Sequence, residues 1–263
     1  MILVLFIFGL FIGSFLNVLA DRLPRGEDVI KGRSHCEFCK HKLTWYELIP
    51  LLSYIFQKGK SRCCHRKLSL QYPLSELATG VGFVIIYYLS SEFRVASSEL
   101  VTITPFSIFH TLFSIVLFSC FFVIFIADLK YEIIPMEMVI IGFITAFCQL
   151  FISPHLPITL LTHLISAFGA GLFFFCLWFF SKGKAMGDGD IYVAALIGFF
   201  LGFPHIIVAL YGAFLTGALA GIILILGKKT TLKSHIPFGP FLSIGCGIAV
   251  LWGETIFRLW RFI

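Results

Sequence analysis

The chain has 263 residues, 59% of them hydrophobic and 13% charged, with a mean hydropathy of +0.97. Soluble domains carry about 45–50% apolar and about 25% charged residues, so a disordered chain, a nucleic-acid-binding module and a secreted disulfide scaffold are excluded. The formal net charge of +6 is local: residues 21–72 hold 11 of the 20 Lys and Arg and 5 of the 14 Asp and Glu, and the remainder balances.

Apolar runs of about 20 residues can cross the roughly 30 Å hydrocarbon core as helices. They fall near 1–20, 73–90, 108–127, 138–153, 159–180, 191–202, 205–226 and 241–260, the sixth being short. The expected fold is therefore all-α and polytopic, with about eight transmembrane helices and a cytoplasmic Cys-containing loop domain after the first. Val18-Leu19-Ala20 loosely fits a signal cleavage site, but no basic segment precedes it and a basic loop follows. The first run is read as a retained helix with its N-terminus outside. Segments 21–72, 128–137, 181–190 and 227–240 then face the cytoplasm and carry 17 of the 20 Lys and Arg, all but Arg94, Arg258 and Arg261, as the positive-inside rule requires. Topology accounts for the basic loop, and no nucleic-acid partner is expected. The chain divides into a first helix (1–20), a basic Cys-rich loop domain (21–72) and a transmembrane domain (73–263). The 32 Phe are read as lipid-facing and packing material.

The loop domain contains Cys36-Glu37-Phe38-Cys39 and, with 23 residues between, Cys63-Cys64-His65. In a reducing compartment such a set points to a metal rather than to disulfides. Two turns, each presenting two thiolates, suit tetrahedral Zn2+, which would help fold a polar loop with little core of its own. The ligand set is Cys36, Cys39, Cys63 and Cys64, with His35, His41 or His65 as alternatives for the fourth position. Cys120, Cys148, Cys176 and Cys246 lie singly in apolar runs and read as small hydrophobes.

Farther along, Asp128 ends the third run and Asp190 opens the sixth, in Gly187-Asp188-Gly189-Asp190. The topology puts both at one depth on one side of the membrane. Gly187 and Gly189 let backbone approach closely. Two neighbouring carboxylates share a proton, so a water between them has a general base on one side and a general acid on the other, as in aspartic peptide hydrolysis. Asp188 competes for the same role. Glu76 and Asn17, polar groups inside spans, read as functional candidates, or as a snorkelling acid and an amide for interhelical hydrogen bonding. His110, His163 and His205 read as interfacial or packed residues, Lys228, Lys229 and Lys233 as topology determinants, and the pairs Gly169/Gly171 and Gly217/Gly221 as close helix contacts.

With these residues in view, the chain resembles the type IV prepilin peptidases. The resemblance runs through Gly13-Ser14-Phe15-Leu16-Asn17-Val18, Arg22-Leu23-Pro24, the cysteine loop and Tyr72-Pro73-Leu74-Ser75-Glu76-Leu77. It continues through Asp128, Ile134-Pro135, Gly187-Asp188-Gly189-Asp190 and Pro237-Phe238-Gly239-Pro240-Phe241-Leu242. It implies a membrane aspartic endopeptidase of the bacterial inner membrane with Asp128 and Asp190 as catalytic residues. The substrates implied are type IV prepilins or type II secretion pseudopilins, cleaved after the terminal Gly of a basic leader on the cytoplasmic side. It also implies N-methylation of the new N-terminus from S-adenosylmethionine, with Glu76 and Asn17 as candidates for substrate or methyl-transfer contacts. The chain departs from the pattern where Ser61 stands at the first Cys of the second knuckle, with Cys63 as its substitute, at Met136 and Tyr192, and in the loop from Gly26-Glu27-Asp28 onward, which matches loosely and weakens the methyl-transfer implication. A peptidase without methyl transfer is the first alternative; a proton-coupled transporter using the two aspartates is the second, though no internal repeat supports it.

Overall fold

A computed structural model describes residues 2–29, 34–36, 38–96, 105–151, 156–184, 186–227 and 237–261. The chain forms α1 (Ile2–Arg22), the short α2 (Leu52–Phe56), α3 (Gln71–Ala96), α4 (Pro105–Tyr131), α5 (Met136–Phe151), α6 (Leu156–Ser181), α7 (Gly189–Leu201), α8 (His205–Leu226) and α9 (Gly239–Arg261). Among the described residues, each of the eight expected apolar runs coincides with a helix. Six are long and apolar enough to cross a membrane, whereas α5 and α7, at 16 and 13 residues, are shorter. At 1.5 Å per residue α7 extends only about 20 Å. Among the described residues the extended pairings are two isolated bridges, His35 with Lys42 and Lys60 with Lys67. The protein is a helical, multi-pass membrane protein.

Two compact units divide at residues 123 and 124. In the first, α1 lies against α3 at very short range. A Cβ on Gly9 would stand 2.7 Å from the Gly80 Cα, and one on Gly13 would stand 2.9 Å from the Glu76 Cα. Close backbone approach through small residues replaces the hydrophobic drive that lipid cannot supply between helices. Phe8, Phe83, Phe118 and Phe122 stack along this unit, with Phe83 fully buried.

The second unit is organised around α7. Val193, Ala194, Leu196 and Ile197 are completely buried, which a helix apolar on all sides requires. Gly142 of α5 admits the Leu196 side chain, and Gly198 lets α7 approach the backbone of α6 at Ser166 and Ala167. Phe174, Phe214 and Phe238 cluster with ring centroids 5.2–6.0 Å apart, while Phe168 and Phe180 face outward. The Phe excess thus serves both packing and the lipid-facing surface.

The glycine expectation needs correction. Gly169 and Gly221 have nothing within 4 Å of a notional Cβ, and Gly171 and Gly217 make contacts of 3.3 Å. The tighter approaches are at Gly9, Gly13, Gly198 and Gly245. At Gly245 of α9 a Cβ would collide with the Ala209 carbonyl oxygen of α8. Spacing within one helix does not reveal which face meets a neighbour. Of the isolated histidines, His163 Nδ1 lies 2.6 Å from the Phe199 carbonyl, and His205 sits 3.7 Å from Glu254, which also faces Arg258 at 3.6 Å. Lys228, Lys229 and Lys233 lie outside the described residues.

Gly245→Val is expected to destabilise the protein by about 1–3 kcal/mol, the usual cost of overpacking, read as a lower thermal midpoint in detergent. Gly221→Ala, which meets open space, is expected not to lower it.

Candidate active site and cysteine centre

Asp128 and Asp190 reach the interior of the second unit from different helices. Asp128 lies in the last turn of α4, 5% exposed, and accepts a hydrogen bond from the Gly239 backbone N–H at 2.9 Å. Gly239 opens α9, so one of that helix's unpaired N–H groups is spent on the carboxylate. A Cβ at Gly239 would lie 2.7 Å from Asp128 Oδ2, which explains glycine there. Asp190 occupies the first turn of α7, 4% exposed, where anionic charge complements the helix dipole. The Gly187 backbone hydrogen-bonds to it, and it lies close enough to Asp128 for their charges to interact.

Asp188 behaves differently. It is exposed and caps α7, its Oδ1 accepting the Gly189 N–H at 3.0 Å. Gly189 is pressed against Ile134, whose side chain would stand 2.9 Å from an added Cβ. The segment after α4, with Ile134-Pro135, therefore seats the loop that carries Asp190. The spacing Asp188-Gly189-Asp190 left two candidates open; burial separates an interior carboxylate from a helix cap.

The cysteine centre belongs to the first unit. The Sγ atoms of Cys36, Cys39, Cys63 and Cys64 all lie within 4.8 Å of one another. The Cys36–Cys64 and Cys39–Cys63 separations are 3.8 and 2.8 Å, the first being the edge of a tetrahedron with Zn–S bonds of about 2.3 Å. Two similar turns present them. Cys36 N–H donates to His41 O and Lys40 N–H to Cys36 O; Ser61 N–H donates to Arg66 O and His65 N–H to Ser61 O. Lys40 and His65 both have positive φ, 57° and 54°. Ser61 thus occupies in the second turn the place of Cys36 in the first, and Cys63 brings in the fourth sulfur from one residue before Cys64. The donor set fits a tetrahedral thiophilic ion, and the thiols cluster without His35, His41 or His65.

Ser61 is not idle: its Oγ lies 3.3 Å from Cys36 Sγ and 3.1 Å from Cys63 Sγ. Burial pushes the Cys36 thiol up, but the Ser61 hydroxyl and the backbone at Cys39 and Phe38 outweigh it and bring it down to about 6. The hydrogen bond with Cys63 pushes Cys39 up to about 12. Arg62 over Tyr46 and Arg66 over Phe38, at 5.3 and 5.2 Å, tie the loop together. Thr44 and Glu47 form a capping box on the short 3-10 turn Trp45–Leu48; the Thr44-x-x-Glu47 spacing carried that signal in the sequence.

Glu76 and Asn17 come together on facing helices. Glu76 is 8% exposed, and its Oε2 accepts the Leu51 N–H at 2.8 Å. Asn17 is 4% exposed, with Oδ1 2.8 Å from Ser75 Oγ. The roles of Gly239 as carboxylate donor and Ser61 as thiol partner were invisible to motif reading, which placed both in motifs without assigning either a contact.

Fold and site define a multi-pass helical membrane protein with two interior carboxylates in one unit and a four-cysteine centre in the other. Residues 7–90 match the model of the bacterial peptidase A24 N-terminal domain, and residues 115–222 that of the type IV leader peptidase family. A "Prepilin leader peptidase/N-methyltransferase" of Bacillus subtilis (strain 168) is 33% identical over 97% of this chain and 96% of its own. Proteins of the same name from Myxococcus xanthus (strain DK1622) and Aeromonas salmonicida (strain A449) are each 31% identical, over 89% and 96% of this chain and 68% and 91% of their own. The chain belongs to the type IV leader peptidase family. No solved structure matches it.

The capping role of Asp188 yields a direct test. Asp188→Ala is expected to cost about 1 kcal/mol of stability, as loss of an N-cap does, seen as a small drop in the thermal midpoint. A collapse of the fold would contradict a simple cap.

Proposed function

We propose that the protein is a membrane aspartic endopeptidase that removes the leader of type IV prepilins or type II secretion pseudopilins and then methylates the new N-terminus from S-adenosylmethionine. The observation that carries the peptidase half is the burial of Asp128 and Asp190 at interacting range, each on a different helix and each held by a glycine N–H. Asp128 and Asp190 are the catalytic residues in this reading. Water held between them gives a proton to the ionised carboxylate as its oxygen attacks the scissile carbonyl carbon, and the protonated carboxyl supplies the proton that leaves with the amine. Gly187 keeps a side chain away from an extended substrate backbone, Gly189 seats the loop against Ile134, and Asp188 stabilises the loop.

The methyl-transfer half draws on the name shared by the relatives and on the match of residues 7–90 to the N-terminal domain. S-adenosylmethionine supplies a methyl group: the N–C bond to the terminal amine forms as the S–C bond breaks, leaving the neutral thioether and releasing a proton. Cys36, Cys39, Cys63 and Cys64 hold a structural Zn2+ that folds the loop domain 21–72, the helix of residues 1–20 preceding it and the peptidase domain of 73–263 following it. All eight apolar helices sit in the bacterial inner membrane, the N-terminus outside and both aspartates facing the cytoplasm; the charge distribution supports that orientation.

Leader cleavage in membranes is expected to fall by about 10²–10⁴-fold on Asp128→Asn or Asp190→Asn, the usual contribution of a general acid or base, and to persist in Asp188→Asn. Full cleavage by either of the first two variants would sink the assignment. Purified protein is expected to carry one Zn2+ per chain by elemental mass spectrometry. Cys63→Ser should lose it and His65→Ala retain it, whereas Ser61→Ala should weaken retention against a chelator by about tenfold, as outer-sphere changes do.

A further inference from the structure

The loop domain between α1 and α3 is polar, yet its short α2 presents an apolar face that nothing among the described residues covers. Leu52, Ile55 and Phe56 are 50, 66 and 80% exposed, and their i, i+3, i+4 spacing puts them on one side of the helix. Ser53, Tyr54 and Gln57, on the other side, line a cavity shared with Asn17 and Glu76. Trp45, on the 3-10 turn before α2, is 77% exposed and meets Tyr46 edge-on at 5.8 Å. Exposed apolar patches of this kind mark contacts with a protein or with a membrane.

Two observations set the level of this face. Both ends of the loop domain pass into helices long and apolar enough to cross a membrane, α1 and α3. Along α3, Leu74, Leu77, Val81, Ile85 and Tyr88 are all exposed, a single stripe at helical spacing that reads as its lipid-facing side. The stripe begins in the first turn of α3. Glu76 falls between its first two members and accepts the Leu51 N–H at 2.8 Å. The start of α2 is therefore pinned beside a turn of α3 that already faces lipid. Charge agrees with that placement. Lys58 and Lys60, both exposed, follow α2 directly, and Arg62 lies over Tyr46 at 5.3 Å. Apolar, aromatic and basic side chains at one level are the composition of a segment lying in the membrane interface, where Lys and Arg attract anionic headgroups. A protein partner would account for the apolar face but not for its level beside α3.

We infer that α2 and the turn before it form an interfacial anchor. Leu52, Ile55 and Phe56 enter the acyl boundary of the leaflet from which the loop domain emerges, and Lys58 and Lys60 meet its anionic phospholipid headgroups. The bridge between Lys60 and Lys67 joins the exit of α2 to the turn that carries Cys63 and Cys64, so the anchor holds the cysteine centre at the membrane surface. It is independent of both chemical steps proposed above.

The test places the photoreactive residue p-benzoylphenylalanine at Phe56 of the full-length protein. In parallel it is placed at Ile55, on the same face, and at Val81, within the α3 stripe. Irradiation is carried out in native membranes and in nanodiscs of phosphatidylglycerol and phosphatidylcholine in equal amounts, and adducts are read by mass spectrometry. Position 81 is expected to give phospholipid adducts without regard to headgroup, and positions 55 and 56 to give them with phosphatidylglycerol in excess. Lys58→Gln and Lys60→Gln, each combined with the probe at 56, should reduce that excess by about two- to fivefold at low salt. Thermal midpoints near wild type show that the probe-bearing chains are folded, and two probe positions keep the result from depending on one. Absence of lipid adducts at 55 and 56, with lipid adducts at 81, overturns the anchor. Crosslinks from 55 and 56 to protein in place of lipid make the face a protein contact and overturn it equally. Lipid adducts without headgroup preference overturn the assignment to anionic phospholipid.

Discussion

Hydrocarbon offers no hydrogen bonds, and every other feature of this protein is arranged around that lack. Backbone N–H and C=O groups at membrane depth must pair within the chain, so the apolar stretches become helices, and the polar groups that remain inside are tied to one another. Because lipid is as apolar as the helices themselves, association depends on close packing. Gly9 and Gly13 against α3, Gly198 against α6 and Gly245 against α8 supply it. The polar pairs Asn17–Ser75 and Asp128–Gly239 are formed where helices have already been brought this near.

The same constraint shapes the aspartate site. A carboxylate in the interior needs a donor, and a helix N-terminus has N–H groups to spare. Asp128 takes one from the start of α9, and Asp190 stands at the start of α7 with the Gly187 backbone against it. Short α7, with Val193, Ala194, Leu196 and Ile197 completely buried, is held by packing along most of its length. In the proposed reaction, rigid placement of acid and base on packed helices, rather than on a free loop, would meet the demand of proton transfer for fixed geometry.

Outside the bilayer the problem is reversed. The loop after α1 is polar and has few buried apolar residues, so its order comes from the clustered thiols, the Arg–aromatic contacts and the capping box. Ser61 shows how the cluster absorbs a changed residue. The turn geometry is kept, the hydroxyl bridges two sulfurs, and Cys63 completes the set from the neighbouring position.

By itself the sequence determined the membrane class, the helical content and the approximate place of each apolar helix. Those properties follow from composition and local periodicity: an apolar run of given length becomes a helix whatever lies beside it. Only the tertiary structure decided that Asp190 and not Asp188 is interior, that Gly239 serves Asp128, that the Cys63 sulfur joins those of Cys36, Cys39 and Cys64, and that Glu76 and Asn17 line one cavity. It also showed that Gly9 and Gly245, rather than Gly169 and Gly221, make the close contacts. Each of these depends on which face of one helix meets which face of another, and that pairing is a property of residues up to 111 positions apart, beyond the reach of local pattern.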